Sequence, residues 1–141
     1  MNIYQVDYPS DKLTEALAKL LPQLSASAQI PTIEQIKSML HNPNTLIFVA
    51  EHESIIVGIL SLVIVDIPTG RKAWIEDVVV DCKSRGLCIG QALVEKAKMH
   101  ANALGAKKIY LTSNPSRKAA HALYKKCGFE EYDTTVFRVK G

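Results

Sequence analysis

Two carboxylates and a glycine-bearing turn lie together in one short stretch. Ile75-Glu76-Asp77-Val78-Val79-Val80 reads as an apolar strand, and Arg85-Gly86-Leu87-Cys88-Ile89-Gly90-Gln91 follows as a turn into an amphipathic run. The first amides of a helix have no intrahelical acceptor and carry partial positive charge, so a turn with little side-chain bulk before them makes a seat for a phosphate or pyrophosphate. Arg85 can add a charge-assisted contact. Downstream, Arg117 and Lys118 open another helical run, where positive side chains oppose the helix dipole unless an anion sits there.

The elements that must hold these groups can be read from spacing. Asn2 to Asp7 suits a short edge strand. Leu13, Leu17, Leu20, Leu21 and Leu24 recur at helical spacing behind Ser10 and Asp11, and Thr32 with Gln35 makes a capping-box pattern for a second helix ending near Asn42-Pro43. Thr45 to His52 and Ile55 to Val65 are rich in β-branched residues on either side of Glu53-Ser54, which predicts an antiparallel hairpin. Ala73 to Val80 is a third strand, followed by a helix with Leu93, Val94, Ala97, Ala101 and Leu104 on one face and Gly105 at its end. Lys108 to Thr112 is a buried strand. Asn114-Pro115 supplies a cap and first-turn proline for a helix through Lys126, Gly128 stops it, and Phe129 to Val139 holds one or two terminal strands. The order predicts an α/β fold with a mixed sheet, antiparallel early and parallel across the long helix.

Composition narrows the function. With 141 residues and 48% of them hydrophobic, the chain is the size of one domain, spanning 1–141. A net charge of +3, with basic residues scattered among acids, gives no nucleic-acid footprint. The longest apolar stretch, Ile55 to Val65, is too short to span a membrane, so the expected partners include neither nucleic acid nor membrane. Three cysteines without paired spacing, and an N-terminus with no basic region before an apolar run, fit reduced thiols in the cytoplasm, small and buried by default; no metal site is readable. The four histidines lack metal spacing and a neighbouring nucleophile. The glycine loop lacks the Gly-Lys-Ser/Thr ending of a nucleotide P-loop and the three glycines of a dinucleotide site.

The stretch from Trp74 to Gln91 resembles motif A of the GNAT superfamily of N-acetyltransferases, whose loop reads roughly Gln/Arg-x-x-Gly-x-Gly/Ala. Arg85, Gly86 and Gly90 fit it, while Cys88 stands where the middle glycine is usual, and a Cβ there resists positive φ. Ala120, Leu123, Tyr124, Gly128 and Phe129 match the tail of the family's second motif, with Arg117 in place of its asparagine. The two matches cover roughly Trp74 to Phe129. The resemblance implies a mixed sheet, mostly antiparallel with a splayed parallel pair and about four flanking helices. It also implies acetyl-CoA as cosubstrate, an amine acceptor and a homodimer, with Thr134 to Val139 as a contact.

Roles follow from the same resemblance. The backbone of Val78, Val79 and Val80 would bind the pantetheine arm in the splay. Arg85, Gly86, Leu87, Cys88, Ile89, Gly90 and Gln91, with Arg117, would hold the diphosphate. The Val78 amide would receive the oxyanion, Glu76 would act as general base, and Tyr124 would serve the coenzyme sulfur. A phenol with an ordinary pKa near ~10 is protonated at neutral pH and suits that task. Side chains two apart share a strand face, which would put Glu76 and Val78 on one cleft and Asp77 on the other side unless a bulge re-aims it. Two other readings fit the residues: a non-catalytic acyl-CoA-binding regulatory module, and an acetyltransferase for a protein amine rather than a small molecule.

Overall fold

The computed structural model describes residues 1–141. Elements run β1 (Asn2–Gln5), α1 (Asp11–Leu24), α2 (Ile33–His41), β2 (Thr45–His52), β3 (Ile55–Ile67), β4 (Gly70–Val80), α3 (Ile89–Ala103), β5 (Ile109–Leu111) and α4 (Lys118–Lys126), with a 3-10 turn at Cys82–Ser84. The five strands form one sheet in sequence order, antiparallel except for the β4–β5 pair, which is parallel. This is the mixed α/β architecture expected from the sequence.

Local chemistry accounts for the first helices. The Ser10 side chain accepts from the Leu13 amide at 3.1 Å and caps α1. Thr32 and Gln35 exchange both bonds of a capping box at the start of α2. The β3–β4 hairpin is longer than its apolar pattern suggests. Arg71 forms a two-point pair with Asp66 and also donates to the Leu104 carbonyl, so pairing continues to Ile67 and Gly70.

The sheet is buried on both faces. One face packs Phe48, Leu60, Leu62, Ala73 and Ile75 against Leu93, Val94, Ala97 and Ala101 of α3. The other packs Val49, Ile59 and Val79 against Leu13, Leu17 and Leu20 of α1 and Ile36 of α2. Ala73, Ile75 and Val79 are two and four apart, yet Val79 faces the opposite side. A β-bulge explains it: Ser61 pairs with Glu76 and Ile59 with Val79, so two steps along β3 match three along β4. The extra residue is accommodated at Asp77, whose φ is 49°.

Several expectations fail. No strand follows α4: residues 129–141 make no ladder, and Val136, Phe137 and Val139 are exposed. β5 is only three residues long, and Tyr132 instead lies against the Tyr110 ring, which stacks on Trp74. Asn114 does not cap the last helix. Its carboxamide oxygen accepts from the Ser116 amide at 2.9 Å, forming a local turn that contains Pro115, and the helix begins only at Lys118. Of the cysteines, Cys127 alone is buried; Cys82 and Cys88 are exposed. Leu104 is likewise partly exposed at the end of α3, because the helix stops there with Gly105 at φ +83°.

Candidate active site

β5 pairs with β4 only as far as Ile75 and Leu111. Beyond that point β4 keeps β3 on one edge, through Ile59–Val79 and Gly58–Val80, while its other edge opens onto a cleft of about 740 Å³. The main-chain groups of Val78 to Val80 on that edge are therefore available to an extended ligand, as in strand addition. The cleft runs from these residues to the starts of α3 and α4.

Those two helix starts differ from the other two. Ser10 and Thr32 cap α1 and α2, whereas the residues preceding α3 and α4, Cys88 and Arg117, make no side-chain capping bond. The first α3 bond runs from the Ala92 amide to the Cys88 carbonyl, so the amides of Ile89, Gly90 and Gln91 have no intrahelical acceptor. Both starts line one cleft, with Arg85, Arg117 and Lys118 around them. Two helix dipoles and these cations converge where a diphosphate would supply the missing acceptors.

The turn glycines do different work. Gly86 adopts φ +90°, open to glycine and strained for other residues. Gly90 serves packing: a Cβ there would lie 3.1 Å from Leu123 Cδ2, so its absence lets α3 approach α4. Cys88 adopts the left-handed conformation a glycine would favour, at φ 57° and ψ 28°, so the loop keeps its shape despite the side chain.

All but one of the residues expected to hold the cosubstrate line this cleft: Val78, Val79, Val80, Arg85, Gly86, Cys88, Ile89, Gly90, Gln91, Arg117 and Tyr124. Leu87 instead points outward, half exposed. Tyr124 is buried on α4 where the main cleft meets a second hollow beside β5. Burial raises its phenol pKa, against a smaller lowering by Arg117 and a further raising by Cys127, so it stays protonated at neutral pH.

Glu76 and Val78 do not share a face as simple alternation predicts, because the bulge intervenes. Glu76 lies across from Ser61 on the face of α1 and α2, and Asp77 lines a smaller cavity there together with Ser61. The Glu76 carboxyl is raised above the usual carboxylate range, first by partial burial and then by the charge of Asp77.

Sequence reading missed the bracket that fixes the loop after β4. Asp81 is 3% exposed and accepts from Lys19 Nζ at 2.8 Å, the Lys83 amide at 3.2 Å and Gln23 Nε2 at 3.4 Å. Gln23 also accepts from the Cys82 amide at 2.9 Å. An aspartate directly after a strand is common turn chemistry, and its side-chain partners Lys19 and Gln23 are 58 or more residues away in sequence, so only the fold reveals the bracket.

A mixed sheet splayed at its parallel pair, with two uncapped helix starts over the gap, is an α/β fold with a cleft suited to an anionic ligand. The family model of the acetyltransferase (GNAT) family matches residues 2–129, and the chain belongs to that family. Over 62 residues it is 37% identical to glucosamine 6-phosphate N-acetyltransferase 1 of Oryza sativa subsp. japonica, covering 44% of this chain but only 36% of that protein's length. A solved protein of Agrobacterium tumefaciens str. C58 superposes with a TM-score of 0.85 at 26% identity over 100% of both chains. An aminoglycoside acetyltransferase from an uncultured soil metagenomic sample gives 0.84 at 20% identity, covering 99% of this chain and 96% of that one, a likeness of fold. No helix is long and apolar enough to cross a membrane.

Proposed function

We propose that this chain, as one domain over 1–141, is an N-acetyltransferase that uses acetyl-CoA to acetylate a primary amine of a small molecule by direct attack on the thioester. The observation that carries the reading is the pair of uncapped helix starts facing the unpaired edge of β4 across one cleft. The donor set fits the carrier: free amides of Ile89 to Gln91 with Arg85 and Arg117 for the diphosphate, and the open main chain of Val78 to Val80 for the amide-bearing arm. When bound, the cosubstrate supplies an activated acetyl group on sulfur.

The chain's own residues supply the rest. Glu76, its carboxyl pKa raised first by partial burial and then by the charge of Asp77, accepts the proton of the attacking amine, directly or through water. The Val78 amide is the donor for negative charge developing on the acyl oxygen. Tyr124 presents a protonated phenol from the buried side of the cleft and gives its proton to the departing sulfur. The new bond is nitrogen to acyl carbon, the broken one carbon to sulfur. We place this chemistry in the cytoplasm, where the exposed thiols of Cys82 and Cys88 stay reduced.

A homodimer is part of the same proposal. Val136, Phe137 and Val139 are left exposed beyond the three-residue β5, and a second copy offers them cover. Free thiol released from acetyl-CoA by an amine panel tests the function. Binding without thiol release would favour a non-catalytic acyl-CoA module instead.

A further inference from the structure

Between α1, α2 and the sheet lies a cavity of about 230 Å³. Leu17 and Leu21 of α1, Met39 and Leu40 of α2, and Ile59 of β3 form its apolar wall. The polar contribution is small: Gln29, Ser61 and Asp77, the last being the only charged side chain lining it. No lysine, arginine or histidine faces it, so nothing there would neutralise a phosphate or carboxylate.

Asp77 is the bulged residue of β4, and its neighbour Val78 lines the large cleft. The cavity's charged end therefore lies one residue, a Cα step of about 3.8 Å, from the amide assigned to the oxyanion. An amine held at Asp77 is therefore one residue along β4 from both Glu76 and Val78. Met39 lines the cavity and is also 37% exposed, which puts it at the mouth.

Resting on the acetyltransferase reading, we propose that the acceptor is a primary amine carried on a compact apolar body, its ammonium drawn to Asp77 and its hydrocarbon part seated between α1 and α2. The volume holds roughly seven or eight water-sized groups, enough for a short alkyl or phenylalkyl chain. A sugar phosphate would bring many hydroxyls and a dianion to a wall that offers them almost no partner. Apolar shape and a single carboxylate thus select the substrate class.

The test measures thiol release by the full chain with acetyl-CoA and n-hexylamine, 2-phenylethylamine, glucosamine 6-phosphate or an aminoglycoside. The two apolar amines should exceed the sugars in kcat/KM by about tenfold or more. Met39→Trp, which narrows the mouth at a partly exposed position, should lower kcat/KM for n-hexylamine about tenfold while leaving the KM for acetyl-CoA unchanged. Preference for the sugar amines, or indifference of n-hexylamine turnover to Met39→Trp in a variant with unchanged thermal unfolding, overturns the substrate assignment while acetyl transfer stands. Absence of thiol release with every amine overturns the transferase reading itself, and the substrate class with it.

Discussion

Replacing Asp81 with alanine removes the only buried carboxylate of the chain, and the partners it leaves fix the expected loss. Lys19 is about half exposed, so its ammonium regains water and the ion pair counts for about 1 kcal/mol rather than the value of a buried pair. The Lys83 amide and Gln23 donate across longer contacts and together contribute about 1 kcal/mol. Asp81→Ala should therefore destabilise by about 2 kcal/mol, and Asp81→Asn, which keeps an acceptor but loses the charge, by about 1 kcal/mol. The hydrogen bond from the Lys19 ammonium holds the folded pKa of Asp81 below its ordinary value. A depressed folded pKa gives stability that is fully present above the unfolded value near ~3.9 and is lost as pH falls through the folded one. Urea denaturation at neutral pH should show both losses, and the gap between wild type and Asp81→Asn should shrink as pH drops below about 4. A loss under about 0.5 kcal/mol for Asp81→Ala, or a gap that persists unchanged in acid, refutes the reasoning.

Other perturbations address the chemistry. Tyr124→Phe should lower kcat by about 10²-fold or more, read by thiol release, with acetyl-CoA affinity little changed. Activity should need ionised Glu76, so kcat/KM should fall as pH drops through a pKa above the usual carboxylate range; Asp77→Asn should move that limb to lower pH, and Glu76→Gln should remove it. Arg117→Ala should weaken acetyl-CoA binding about tenfold in calorimetry at low salt, with the deficit shrinking as salt screens the contact.

The features written in short-range patterns were legible in the sequence, and those set by long-range pairing were not. Thr32 and Gln35 announce α2 because both capping bonds close within four residues. The glycine loop and the α3 stripe, which line and support the large cleft, were legible for the same reason. The bulge at Asp77 depends on how β3 pairs with β4, and it sends Glu76 and Val78 to opposite faces, against simple alternation. Asn114 misled because an asparagine caps a local turn as readily as a helix. The apolar, β-branched stretch from Thr134 to Val139 promised a strand, yet a strand needs an edge to pair with, and the single chain offers only short β5. The Asp81 bracket was invisible because Lys19 and Gln23 carry no mark of a partner so far along the chain.

In the proposed complex, the free amides opening α3, with Arg117 at the start of α4, grip the diphosphate of acetyl-CoA while its arm runs along the open edge of β4. A crystal structure with the coenzyme tests it most directly. Phosphate oxygens should lie within hydrogen-bonding distance of the Ile89, Gly90 or Gln91 amides, and the arm should pair with the main chain of Val78 to Val80. A coenzyme seated elsewhere, with those amides bonded only to water, would contradict it.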